Sequence, residues 1–163
     1  MNYVFIGKIV NTHGIKGEIR IISNFERKNM VFKVGNKIYI GNGKCEEVIN
    51  SYRVHKDYDM VTLNGYDNIN EVLKYKGCNV YFNRDDLKLG DDDYLLEDLV
   101  GLDVVDGEKI VGKASNFVYN SSNVLLEVMG EKKFYIPLVD DFVVKVDLKN
   151  RKIIVKNSEG LLL

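Results

Sequence analysis

The sequence predicts a mainly β protein made of two small β-barrels, with one short helix in the N-terminal half. Three observations lead to this prediction. Short β-branched and aromatic runs recur along the chain, turn-forming residues separate them, and only one stretch carries the end signals of a helix. The hydrophobic fraction of 45% and the charged fraction of 29% are those of an ordinary globular protein with a packed core.

The N-terminal half contains six predicted strands, and their spacing suits a small antiparallel barrel. The helix is predicted at 68–77, where Asn68 can cap the first turn, Glu71 can complete a capping box, and Gly77 suits the left-handed position after the last turn. The strands are predicted at Tyr3–Val10, Gly17–Ser23, Asn36–Ile40, Glu46–Val54, Asp59–Leu63 and Cys78–Phe82.

An acidic segment separates the two halves. Residues 84–93 include few apolar side chains and end in three consecutive aspartates, which repel one another and disfavour packing. This pattern predicts an N-terminal domain at 1–88, a linker at 89–93 and a C-terminal domain at 94–163. Residues 1–88 hold 14 basic and 10 acidic side chains, whereas residues 89–163 hold 9 and 14, so the halves carry opposite net charge.

The C-terminal half also contains six predicted strands, which favours a second small barrel. Turn-forming sequences separate them at 106–107, 120–123, 130–132 and 149–150. The strands are predicted at Leu102–Val105, Ile110–Phe117, Asn123–Met129, Phe134–Leu138, Phe142–Val146 and Lys152–Lys156.

Targeting and redox signals indicate a cytoplasmic protein. The longest apolar runs fall far short of the roughly 20 residues that cross a bilayer, and the first residues do not resemble a secretory signal. Cys45 and Cys78 are isolated, without metal-ligand spacing, and are predicted to be reduced structural thiols.

The search for catalytic motifs predicts a protein that is not an enzyme and holds no cofactor or metal. The glycines at 14 and 17 lack the spacing of a phosphate-binding loop, and Gly41-Asn42-Gly43 is typical of a hairpin turn rather than a dinucleotide site. His13 and His55 are the only histidines and belong to no metal-binding pattern, so each is interpreted as structural or solvated.

The loop after the first strand is the most informative part of the sequence. Gly14 and Gly17 bracket a tight reversal, and Ile15 between them could plug the barrel end. Strand alternation places Glu18 and Arg20 on one face, opposite two isoleucines. Basic side chains outnumber acidic ones here, which fits either a phosphate-facing surface or a solvated charged face.

Three stretches of the sequence resemble the ribosome maturation factor family called RimM. The first is 7–19, with a His-Gly-x-x-Gly-Glu turn, and the second is 94–101, with an aromatic residue, Asp-Leu and glycine. The third combines 135–139 with Val146-Asp147 and the closing 159–162. The resemblance implies an N-terminal six-stranded barrel like those of translation factors, followed by a barrel of the PRC type.

The same resemblance implies a non-catalytic assembly factor. Such a factor binds the immature small ribosomal subunit near its head, through small-subunit ribosomal protein number nineteen, and supports late assembly and processing of small-subunit rRNA. The expected protein is monomeric and independent of membranes. Because ribosomal proteins are typically basic, the acidic C-terminal half is expected to face that partner and the basic N-terminal half to face rRNA.

Two sets of binding residues follow as hypotheses. The family usually has two adjacent tyrosines where this chain has Tyr94 and Leu95, so the second ring either anchors a partner, in which case leucine removes that anchor, or fills core that leucine can also fill. The rRNA-facing set is His13, Gly14, Lys16, Gly17 and Arg20, and the ribosomal-protein-facing set is Tyr94, Asp98, Leu99, Gly101 and Pro137. A flavin- or nucleotide-dependent barrel enzyme and a general RNA-binding translation accessory remain as alternatives.

Overall fold

The computed structural model describes residues 1–120 and 123–161, which fold as two compact units, Met1–Asp92 and Asp93–Leu163. Both units are built mainly from β-strands, as the sequence predicts. The predicted turn at 120–123 and the end of the closing family-like stretch fall partly on residues 121–122 and 162–163, which lie outside the described residues.

The first unit is a closed barrel of six antiparallel strands in the order β1-β2-β5-β4-β3-β6. In this order β3 lies on the opposite side of the ring from β2. Register shifts between Phe5 and Gly7 and between Ile9 and Asn11 mark bulges in β1, which help the long strand to bend around the barrel. The strands are β1 (Tyr3–His13), β2 (Glu18–Ile22), β3 (Lys37–Ile40), β4 (Cys45–His55), β5 (Tyr58–Leu63) and β6 (Asn79–Asn83).

Strand alternation fills the barrel with aliphatic side chains. Each fully buried Ile or Leu stabilises the fold by about 1.5–3 kcal/mol relative to an exposed one. The aliphatic core residues of this unit include Ile6, Ile9, Ile19, Ile21, Ile38, Ile49, Val61 and Leu63.

Short helices occur in the connections between strands of the first unit. The predicted helix is present as α2 (Ile69–Val72), continued by a 3₁₀ turn at Leu73–Tyr75. Asn68 caps it, because its Oδ1 accepts the Glu71 N–H at 3.3 Å, while the Glu71 carboxylate accepts the Asp67 N–H instead of the N–H of the cap residue itself. A second one-turn helix, α1 (Lys28–Val31), was not predicted from the sequence.

The second unit is a six-stranded sheet in the order β10-β9-β8-β7-β12-β11. All neighbouring pairs are antiparallel except β7 and β12, which run parallel. The strands are β7 (Asp103–Asp106), β8 (Lys109–Tyr119), β9 (Val124–Met129), β10 (Lys133–Pro137), β11 (Val143–Asp147) and β12 (Lys152–Val155).

One face of this sheet packs into a single apolar cluster. Aromatic and aliphatic side chains from five strands meet there, and their burial stabilises the sheet. The buried members are Leu99, Leu102, Val104, Ala114, Leu126, Val128, Phe134, Ile136, Ile153 and Val155. Within the described ranges, no helix is long and apolar enough to cross a membrane.

Candidate nucleic-acid interface

The glycine turn between β1 and β2 is held in place by the start of α2. Gly14 and Gly17 have φ values of +71° and +89°, a conformation that side chains disfavour. A Cβ built on Gly17 would lie 2.9 Å from the Asn68 carbonyl oxygen, so only glycine fits there. The Ile15 carbonyl oxygen accepts the Ile69 N–H at 3.0 Å, which fixes the turn against the helix.

The expectation that Ile15 plugs the barrel end is wrong. Its side chain is 82% exposed, because the turn projects beyond the barrel while its backbone is tied to α2. Lys16 next to it is also exposed. The tip of the turn therefore presents one aliphatic and one cationic side chain to the solvent.

The outward-facing side chains of β2 and of its neighbours in the barrel form the next part of the site. Ile19 and Ile21 are fully buried, whereas Glu18 and Arg20 lie on the outer face, as alternation predicts. Because β2 pairs with β5 and β5 pairs with β4, the outer residues of all three strands form one surface. We call this surface the β2–β4 face.

Arg20 is the centre of the β2–β4 face. Its guanidinium lies over the ring of Tyr58, 5.1 Å from the ring centroid, and its Nη2 donates to His13 Nδ1 at 2.7 Å. A guanidinium has donors only, so Nδ1 is the acceptor and the neutral His13 ring carries its proton on Nε2. The His13 and His55 rings lie side by side, with centroids 5.8 Å apart.

Charge on this face is unevenly compensated. Arg53 makes two hydrogen bonds to the Glu18 carboxylate, at 2.7 and 2.8 Å, and this pair lowers the pKa of Glu18. Among the described residues, no carboxylate lies within ion-pair distance of the Arg20 guanidinium. Partial desolvation and the nearby charges of Arg53 and Lys56 lower the pKa of His55.

The structure brings together some of the predicted rRNA-facing residues and adds others. His13 and Arg20 are in direct contact, Gly14 and Gly17 shape the turn, and Lys16 lies at its tip without a described side-chain contact to the others. His55 belongs to this site although it was interpreted as an isolated residue. Its place depends on the pairing of β2, β5 and β4, for which the sequence between 13 and 55 offers no local signal.

Three of the residues predicted to face a ribosomal protein, Tyr94, Asp98 and Leu99, lie in or beside a 3₁₀ turn at Leu96–Leu99. Leu99 is buried in the core of the second unit, and Tyr94 packs against that core while remaining half-buried. Asp98 organises the turn, since its Oδ2 accepts the Leu95 N–H at 2.8 Å. The side chain of Leu95 is 1% exposed, so the residue in the place of the family's second tyrosine fills core.

The other two residues of this set lie at strand boundaries. Gly101 has a φ of +93°, and its N–H donates to the Ala114 carbonyl at 2.7 Å, which leads the chain into β7. Pro137 ends β10 opposite Leu125 and is half-buried. Both residues therefore shape the backbone of the second unit.

The β2–β4 face carries groups that can hold an anion. The Arg20 guanidinium, two imidazoles and an exposed lysine can donate to phosphate oxygens, and aromatic rings beside them can stack on bases. Within the described ranges, no group of three or more His, Cys, Asp or Glu side chains could hold a metal ion.

Comparison with known families divides the chain in the same way as the fold. Residues 4–87 match the family model described as the RimM N-terminal domain, and residues 96–161 match the RimM PRC barrel domain. Ribosome maturation factors RimM from two Staphylococcus aureus strains, RF122 / ET3-1 and NCTC 8325 / PS 47, are each 37% identical to it over 98% of both chains. A crystal structure described as a 16S ribosomal RNA processing protein RimM, from Pseudomonas aeruginosa, aligns over 98% of this chain and 100% of its own, with 22% identity and a TM-score of 0.47.

Proposed function

The chain belongs to the RimM family of ribosome maturation factors, and we propose that it acts in ribosome biogenesis by binding the immature small ribosomal subunit near its head. In this proposal it supports late assembly of the subunit and efficient processing of small-subunit rRNA. It catalyses no reaction itself and works in the cytoplasm as a monomer.

The observation that carries the proposal is the uncompensated positive charge on the β2–β4 face. Arg20 is half-buried and donates to His13, but no carboxylate of the described residues lies within ion-pair distance, so its positive charge remains available to phosphate. Lys16 lies on the adjoining turn, where its exposed side chain can follow an RNA backbone. The first unit is therefore the rRNA-binding half.

The second unit is the half that binds ribosomal protein number nineteen. Residues 93–163 hold 9 basic and 12 acidic side chains, whereas residues 1–92 hold 14 and 12, so the two units differ in the sign of their net charge. An acidic surface steers the approach of a basic ribosomal protein. The proposed contact region includes Tyr94, Asp98, Leu99, Gly101 and Pro137. Because Leu99 is buried, exposed residues beside it make the proposed contacts with the ribosomal protein.

The proposed mechanism is a shift of population. Binding two components of the subunit head at once favours the arrangement of protein and rRNA in which both sites are satisfied. Maturation then proceeds from that arrangement, and the factor leaves when the mature contacts replace its own. A general RNA-binding accessory would need only the first unit, and the acidic second unit is the feature that disfavours it.

A titration of the full-length chain with the purified ribosomal protein tests the assignment of the second unit. Asp140→Asn with Asp141→Asn removes two charges just after Pro137, and it should weaken binding at low salt. The matched control is Asp85→Asn with Asp86→Asn, another adjacent pair of acids, in the first unit. Equal effects of the two double variants would contradict the assignment.

A further inference from the structure

A cleft lies in the first unit where β2 ends and where the β4–β5 hairpin turns. Its volume is about 500 Å³, within the range of roughly 300–1,000 Å³ that small-ligand pockets occupy. Tyr58 lines it, and the same residue carries the Arg20 guanidinium on its ring. The cleft therefore adjoins the β2–β4 face.

The polar floor of the cleft is a buried acid. Asp59 is only 2% exposed, and its Oδ1 accepts a hydrogen bond from the Tyr52 hydroxyl at 2.6 Å. Its Oδ2 lies 2.9 Å from the Lys28 Nζ as an ion pair but accepts no hydrogen bond of normal geometry from the described residues. Lys28 comes from the one-turn helix α1, and its side chain is 38% exposed, so the ammonium can move away.

Two aliphatic side chains, Ile22 and Val54, line the cleft among polar, aromatic and charged residues. Ile22 and Val54 are 49% and 65% exposed. Lys28 and Lys56 line the cleft as well, together with one rim acid, Asp57. The aliphatic side chains can contact the flat face of a base, and the buried acceptor can take a hydrogen bond from its edge. The two cations can bind the phosphate of the same nucleotide.

We propose that this cleft binds one unstacked nucleotide of the RNA that the β2–β4 face holds, and that it prefers a base with an exocyclic amino group. The inference rests on the proposed rRNA-binding function. The base lies against Val54, which pairs with Asp59 across β4 and β5 and so shares its face. The amino group of the base donates to Asp59 Oδ2, and Lys28 moves from that oxygen to the phosphate. Adenine, cytosine and guanine each present such a donor, whereas uracil has no amino group and would place its O4 acceptor against the carboxylate.

Cytosine and uracil oligomers are a matched pair of probes for the full-length chain. Both are pyrimidines of the same size. Position 4 is an amino donor in cytosine and a carbonyl acceptor in uracil, and position 3 is an acceptor in cytosine and an N–H donor in uracil, so oligo(U) tests whether the amino group is the donor that the cleft selects. With fluorescent oligomers of about ten nucleotides at low salt, oligo(C) should bind about tenfold more tightly than oligo(U), the effect of one hydrogen bond to a buried charge.

Two variants separate the cleft from the phosphate contacts. Asp59→Asn supplies an amide donor that can face uracil, so the preference for oligo(C) should shrink to about threefold or less while oligo(U) binding does not fall. Val54→Ser changes only an exposed wall residue and should weaken oligo(C) binding. Val34→Ser, at a residue of similar exposure outside the cleft, should leave it unchanged.

The outcomes distinguish this inference from the function on which it rests. Equal affinities for both oligomers, or a preference that survives Asp59→Asn with the fold intact by circular dichroism, would overturn the nucleotide cleft while leaving rRNA binding in place. If Asp59→Asn does not fold, the comparison of Val54→Ser with Val34→Ser decides the question alone. Failure of every oligomer and of small-subunit rRNA to bind at low salt would contradict the proposed function itself.

Discussion

Neutralising Lys16 and Arg20 together should flatten the salt dependence of rRNA binding. Lys16 is exposed on the glycine turn, and Arg20 has no carboxylate within ion-pair distance among the described residues, so each counts as a full cation. Every phosphate contact adds about 0.7 to the slope of log K against log salt for single strands and about 0.9 for duplexes. The Lys16→Gln, Arg20→Gln chain should therefore lose about 1.4–1.8 from the magnitude of its slope.

The assay is fluorescence anisotropy of a labelled small-subunit rRNA fragment, measured between about 50 and about 200 mM salt. Lys37→Gln with Lys44→Gln is the matched control, because it removes the same charge from the β3–β4 hairpin, and β3 lies across the ring from β2. Its slope should stay near that of the unaltered chain. If the Lys16 and Arg20 double variant keeps the full slope, or the control loses as much, both residues belong to a solvated face rather than to the interface.

Three further predictions follow from the geometry of the first unit. Gly17→Ala should lower the free energy of unfolding by about 2–4 kcal/mol in urea titrations, and Gly14→Ala by only about 1 kcal/mol. A Cβ at Gly17 meets the Asn68 carbonyl, whereas no atom of the described residues lies within 4 Å of one at Gly14. Similar losses would contradict the anchored turn. The His55 ring should titrate below its usual pKa in proton NMR spectra of the free chain. Adding an RNA oligomer should raise that pKa, because phosphate stabilises the imidazolium. An unchanged pKa would place His55 outside the interface. Burial and the Asp59 hydrogen bond raise the pKa of Tyr52 to about 12 from 10.0. The protonated Tyr52 hydroxyl therefore stabilises the fold fully below pH 10, and this stabilisation is lost as pH rises towards 12. Tyr52→Phe should make unfolding free energy fall less steeply over that window, and equal slopes would count against the buried pair.

Local pattern was enough to predict the strands. Each of the twelve predicted runs overlaps an observed strand, since alternation of apolar and polar residues is a property of neighbouring positions. The cap of α2 was predictable for the same reason, because Asn68 and Glu71 act within one turn. In contrast, α1 begins after Arg27, whose side chain makes no capping hydrogen bond, so its single turn leaves no end signal in the sequence.

Contacts between distant segments could not be predicted from local pattern. The contact between His13 and His55 requires the register of four strands, β1, β2, β5 and β4, and the ion pair of Lys28 with Asp59 joins a one-turn helix to the start of β5. The parallel pairing of β7 with β12 is equally non-local. The sequence therefore indicates which turn carries the candidate site, but the partners that complete the site emerge only from the closed barrel.

Sedimentation of the full-length chain with immature small ribosomal subunits tests the proposed function most directly. The chain should move with the immature particles in low-salt gradients and be released as salt rises, because phosphate contacts dominate its attachment to rRNA. The Lys16→Gln, Arg20→Gln chain should be released at lower salt than the Lys37→Gln, Lys44→Gln control. A chain that remains at the top of the gradient at low salt, in the presence of particles known to be immature, would contradict the role proposed for it.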